Sequence, residues 1–180
     1  MRRSALRVPV AADVVMCRSF CVDSATLDVQ PGAACEAVGM ANTAILQRSF
    51  EWVRSELARE FNVGFEKKAV SLHTGGTHTF NAVAADRTVI ATIMNSGGAT
   101  SGGKKPVGKI RGALAELYFL ALVQSERRML VTTNPDFHEL LTTAVRGALF
   151  PGLELKHVPL PADLAAAVAN VTKAASEEMS

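Results

Sequence analysis

Helices on both faces of a mixed β-sheet are what this sequence predicts, and three observations carry the prediction. Apolar residues recur at helical spacing in four separate stretches. Three short strand-like runs lie between the first two of them, and the last two runs are close enough to form a hairpin. Beyond that, strand-like and helical stretches alternate singly, as crossover connections require. The predicted order is α-β-β-β-α-β-α-β-α.

Asn42 or Thr43 is read as the cap of the first helix, on which Leu46, Phe50, Val53, Leu57 and Phe61 form the apolar stripe. Asn62–Gly64 ends it. "GFEKKAVSLH" is the first strand, closed by Gly75–Gly76, and "HTFNAVA" is the second. Ala85–Arg87 turns the chain into "TVIATIMN". Both hairpin arms carry apolar residues on both faces, so the hairpin is expected inside a covered sheet. Val107, Ile110, Leu114, Leu117, Tyr118 and Ala121 mark a second helix. "RMLVTT" is the fourth strand. "NPDFHELLTTAVRGALF" is a helix with Asn134 as cap, Pro135 in its first turn, and Asp136 and Glu139 near its positive end. "LELKHVPL" is the fifth strand, "PADLAAAVANVTKAA" the closing helix and "SEEMS" a polar tail. Residues 1–41 hold no assignable core element, 42–175 form the α/β domain, and 176–180 are the tail.

The 180 residues are 48% hydrophobic and 20% charged, which suits a globular domain rather than a disordered chain. A net charge of +2 does not mark a nucleic-acid binder by itself, so any basic patch has to be local. Pro9 and Asp13 interrupt the apolar run at the start, so no signal-peptide core is expected, and no stretch approaches a membrane span. The expectation is a cytoplasmic protein without membrane contact. Cys17, Cys21 and Cys35 are odd in number and have no nearby histidine to complete a zinc site, so they read as reduced thiols.

Gly98 to Lys104 fits the G-x-x-x-x-G-K spacing of a phosphate-binding loop. The hydroxyl that should follow the lysine and hold magnesium is replaced by Lys105, and Pro106 comes next. The following strand, "RMLVTTN", ends in threonines and asparagine where such proteins carry a metal-binding acid. Both metal requirements fail, and the segment reads as a glycine-rich connection bearing cations. Lys104, Lys105, Lys109 and Arg111 remain as a candidate phosphate-contacting set within the 97–111 region.

The order helix, three strands, helix, strand, with the central hairpin "HTFNAVAADRTVIATIMNS", resembles the core of the PD-(D/E)XK nuclease superfamily. The resemblance implies a restriction-endonuclease-like mixed sheet with an α-β-β-β-α-β core, here extended by a C-terminal strand and helix. It places a metal-binding Asp on the first hairpin arm, an acid and a lysine on the second, and a Glu on the leading helix. These groups hold divalent metal and activate water. The matching positions in this sequence are Asn81, Thr92, Met94 and Glu51. A turn centred between Asp86 and Arg87 sets Asn81 opposite Thr92 and Thr79 opposite Met94. One carboxylate of the family's set survives, so no metal or other cofactor is expected. Some family members move an active-site group to the helix after the hairpin, where this chain offers Lys109 and Glu116.

The resemblance thus implies a degenerate nuclease-like domain, leaning away from enzymatic activity, that binds DNA or RNA through the 97–111 loop or serves as an interaction module. It also implies a homo-oligomer. Two alternatives stand: an active, rearranged, magnesium-dependent nuclease using Glu51, Lys109 and Glu116, and a structural assembly subunit. Elsewhere, His73 and His78 read as surface-loop histidines, and His138 and His157 as unrelated.

Overall fold

The computed structural model describes residues 32–99, 103 and 105–177, with side chains described between 42 and 175. Nine elements follow in the expected order: α1 (Gly32–Phe61), β1 (Phe65–Ser71), β2 (Thr77–Ala84), β3 (Val89–Met94), α2 (Val107–Ala121), β4 (Arg127–Thr132), α3 (Pro135–Ala144), β5 (Leu153–His157) and α4 (Ala162–Glu177). The thiols of Cys17, Cys21 and Cys35, the ammonium of Lys104 and the last three residues of the polar tail lie outside the described residues.

The strands form a five-stranded open sheet in the order β1-β2-β3-β4-β5. β1–β2 and β2–β3 are antiparallel, while β3–β4 and β4–β5 are parallel. Only β2 therefore runs against the rest. The two parallel steps are made by α2 and α3, which cover one face around Phe80, Ile90, Leu117, Leu120, Leu130, Phe137 and Leu141. α1 covers the other face, with Val53 and Leu57 against Ala82, Ala91, Ile93, Met129 and Val131. α4 lies beside α1 and buries Leu164, Val168 and Val171. The molecule is an α/β protein with a mixed sheet covered on both sides. No helix among the described residues is long and apolar enough to cross a membrane.

Local chemistry explains most boundaries. Asn62 takes φ 53°, the left-handed conformation that ends α1. Asp86 Oδ1 accepts from the Thr88 N–H (3.0 Å) and hydroxyl (2.8 Å), fixing the hairpin turn, and Thr88 holds the Asp86 carboxyl below its usual range. Asn134 caps α3 by accepting from the Phe137 N–H at 2.9 Å, with Pro135 in the first turn.

Four expectations are corrected. α1 starts at Gly32, so Asn42 and Thr43 lie inside it rather than capping it. The preceding residues include good helix formers and no proline, and an interior Asn costs a helix only a few tenths of a kcal/mol, up to about 0.7. α3 stops at Ala144 instead of running to Phe150, and Gly147 then takes φ 74°. α4 continues to Glu177, past the start of the expected tail. The stripe of α2 is also displaced: Ala113, Leu117 and Leu120 are buried, while Val107, Leu114 and Tyr118 stay exposed.

Candidate functional site

The hairpin register sets up the site. Ala82 pairs with Ala91 and Val83 with Ile90, so the next step along the ladder places Asn81 against Thr92. On its other edge β2 pairs Val83 with Glu66 and then Phe80 with Lys68. Asn81 and Ala82 thus oppose the single residue Lys67, which is a β-bulge. The extra residue reverses the alternation of β2, so Phe80 and Val83 both enter the core beneath α2 and α3. It also aims Asn81 sideways. Its Oδ1 accepts from the Ile93 N–H at 3.2 Å, standing in for a backbone carbonyl. The freed Asn81 carbonyl accepts from Arg54 Nη1 of α1 at 3.1 Å.

Beyond the bulge a groove opens. A cavity of about 420 Å³ is lined by Asn81, Thr92 and Met94 from the hairpin, Lys109 and Glu116 from α2, and Leu46 and Phe50 from α1. Lys109 and Glu116 are seven residues apart, two turns along the same side of α2. Glu116 Oε2 accepts from the Thr92 hydroxyl at 3.1 Å and lies 3.2 Å from His78 Nε2, which carries the proton toward the carboxylate. The His78 ring is itself stacked on Phe119, with centroids 4.1 Å apart and planes at 10°. His78 is therefore a half-buried strand residue committed to Glu116, not a surface-loop histidine. His73, in contrast, is exposed and donates from Nδ1 to the Leu122 carbonyl at 2.7 Å.

Glu51 stands outside this arrangement. It is exposed on α1, about 140° round the helix from the buried stripe. The same helix turns Phe50 and Arg54 toward the hairpin instead. The cations separate as well. Lys109 lines the groove, and Lys105 borders a separate depression with Asp136 and Glu139. Arg111 is exposed, and a step of two residues along a helix turns it to roughly the opposite side from Lys109. No group of three or more His, Cys, Asp or Glu side chains suited to a metal ion occurs among the described residues.

A second cavity of about 320 Å³ adjoins the first, and Asn95, Lys109 and Thr172 border both. It lies past the C-terminal ends of β3 and β4, beneath α4. Asn95 organises its floor: its Nδ2 donates to Ser49 Oγ (2.6 Å), and its Oδ1 accepts from Thr133 Oγ1 (2.9 Å). Ser49 is fully buried and its own hydroxyl donates a hydrogen bond to the Leu46 carbonyl at 2.7 Å. Gly98 explains itself here. A Cβ on it would stand 2.4 Å from Asp136 Cβ and 3.3 Å from the Phe137 nitrogen, so the glycine-rich segment rests directly on the start of α3.

His138 and His157 are joined after all, with ring centroids 5.6 Å apart. His138 Nδ1 lies 2.9 Å from Thr132 Oγ1. Burial, and secondarily the neighbouring His157, push the His138 pKa below its ordinary value. Arg54, His78 and the Ser49–Asn95–Thr133 chain are the site residues that sequence reasoning missed. Only His78 had a local signal, three positions before Asn81 on the same run.

No family model matches the chain, and no curated protein or solved structure matches it.

Proposed function

We propose that this domain is a restriction-endonuclease-like scaffold without a working metal site, and that it holds nucleic-acid backbone in the groove beside Lys109. One observation carries the reading. Asn81, Thr92, Met94, Lys109 and Glu116 line one groove, and among the described residues Glu116 is its only carboxylate. That carboxylate is already engaged by Thr92 and His78. Hard divalent cations take six or more oxygen ligands, commonly with several carboxylates among them, which this lining does not offer. A lysine in a groove with so few anionic ligands suits binding of phosphate more than its hydrolysis. The strand order and the covered hairpin support the same scaffold.

The test is a titration of the full chain with duplex DNA and with RNA at several salt concentrations. Binding at low salt should weaken with Lys105→Ala and Lys109→Ala. On duplex DNA the log–log salt slope should flatten by about 0.9 for each lost contact. Arg111→Ala should leave both unchanged. Absence of binding at low salt would turn the reading to a structural assembly subunit. Magnesium- or manganese-dependent cleavage abolished by Glu116→Gln would establish the rearranged nuclease instead.

A further inference from the structure

The cavity of about 320 Å³ beneath α4 is large enough for a small organic ligand. It lies past the carboxyl ends of the parallel strands β3 and β4, where open α/β sheets place their ligands. One wall is apolar and comes from α4 and the turn before it, through Leu160, Ala165, Val168 and Ala169. Gly97 and Ala99 form another. Gly98 between them lies so close to Asp136 that no side chain fits there, which fixes this wall on the start of α3.

The polar groups of the lining decide the chemistry of the ligand. Two carboxamides face the cavity, and the oxygens of both are engaged within the fold. Asn95 Oδ1 accepts from the Thr133 hydroxyl, and Asn134 Oδ1 accepts from the Phe137 N–H. The nitrogens are less committed. Asn95 Nδ2 donates one proton to Ser49 and keeps a second, and Asn134 Nδ2 donates to no group among the described residues. Lys109 brings an ammonium that is half-buried and makes no ion pair among the described residues. Lys173 adds a second cation to the lining, and no carboxylate stands among the described lining residues. What the cavity has left to offer is donors and positive charge, so the ligand that suits it is an anion. Partial burial of an ammonium without a counter-charge is costly, and a bound anion offsets that cost.

The number of donors narrows the class. Asn95 follows β3, Lys109 lies in the first turn of α2, and Asn134 precedes α3. A phosphate monoester has three terminal oxygens, one for each. A carboxylate has two oxygens, and a backbone phosphodiester has two that are not bridging. We propose that this cavity binds a small phosphate monoester, with the phosphoryl group on Lys109, Asn95 and Asn134 and the organic part against the α4 wall. Asn134 and Lys173 border this cavity and not the groove, so the assignment is independent of nucleic-acid binding there.

Calorimetric titration of the full chain with phenyl phosphate tests this. The wild type should show one saturable site. Inorganic phosphate and benzoate should each bind about tenfold or more weakly, the first for want of the apolar contact and the second for want of the third oxygen. Asn134→Asp keeps an oxygen to cap α3 but replaces the donating nitrogen with a second carboxylate oxygen. It should melt close to the wild-type temperature and bind phenyl phosphate about tenfold or more weakly. Ala169→Phe fills the cavity from an exposed position and should weaken binding to a similar degree. A wild type with no saturable site for phenyl phosphate overturns the proposal. So does equal affinity for inorganic phosphate or benzoate, or wild-type affinity in either variant. A chain that binds a 5′-phosphorylated oligonucleotide but not phenyl phosphate overturns it as well and assigns the cavity to the end of a strand.

Discussion

The two ends of the sheet are held by different chemistry. At the end where β4 and β5 begin, charges close the structure from outside. Arg127 makes a bidentate pair with Glu154 at 3.0 and 2.7 Å, Lys156 pairs with Glu60, and the Arg127 guanidinium lies 4.9 Å from the Phe61 ring centre. These groups remain partly in water. At the other end, where β3 and β4 finish, neutral hydrogen bonds run inward through Ser49, Asn95 and Thr133, and the groove opens beside them. Exposed ion pairs contribute little each and are tolerant of loss. Buried neutral bonds are costly to break, because the remaining partner has no water to turn to. The open end, where the candidate site sits, is thus the one whose integrity depends on single atoms.

Substitution at Gly98 should show this most strongly. Gly98→Ala places a methyl group against the backbone that starts α3. It should lower stability by about 1–3 kcal/mol in denaturant or thermal melts. Gly97→Ala, which meets nothing within 4 Å, should stay within about 0.5 kcal/mol of wild type. Equal effects at the two glycines would remove the close contact from the account of this end. Next in size, Asn95→Ala removes the hydrogen-bond partner of the buried Ser49 and Thr133 hydroxyls and should cost on the order of 1–3 kcal/mol. At the closed end, Glu60→Gln should cost at most about 1 kcal/mol. A reversal of that order would break the comparison.

Acid should separate the two ends by pH, with a smaller effect still. His138 lies at the open end with its pKa lowered, chiefly by burial and then by His157. Its neutral form is favoured by folding. Its contribution is complete above the ordinary imidazole value of about 6.5 and is lost as pH falls through the lower folded value. Glu154, at the closed end, has its pKa lowered chiefly by the hydrogen bond from Arg127. Its contribution is complete above about 4.5 and is lost only in stronger acid. Melting temperatures between pH 7 and pH 3 should therefore fall in two stages. His138→Gln should flatten the first stage, and Glu154→Gln the second.

What the sequence disclosed follows from how local its causes are. The hairpin register was readable because the Asp86 turn and the apolar runs beside it lie within a few residues. The cap at Asn134 was readable for the same reason. The bulge at Asn81 was not, since it shows only when β2 is set against Lys67 of β1. The Glu116 link to His78 joins residues 38 apart, and the Ser49 link to Asn95 joins residues 46 apart. The α2 stripe misled because it ranked residues by size. Ala113 is small enough to enter the core, while the larger Leu114 and Tyr118 are left outside. Glu51 was placed by a family pattern, and helical periodicity alone would have turned it away from the hairpin.

The short ladder between β2 and β3 has a consequence for motion. β2 and β3 share two paired positions, whereas β1–β2 and β3–β4 are paired along most of their lengths. The ladder is therefore weakest in its middle. Most of what fastens the β1–β2 ribbon to the parallel block is side-chain burial by Phe80, Ala82, Val83 and Ala84, all at 0–1% exposure. Such a seam divides the sheet into two cooperative units that need not open together. Amides on the facing edges of β2 and β3 beyond the bulge then exchange with solvent through ribbon opening, at a free energy below that of global unfolding. The groove lies on that seam, so whatever enters it meets the part of the sheet best able to yield.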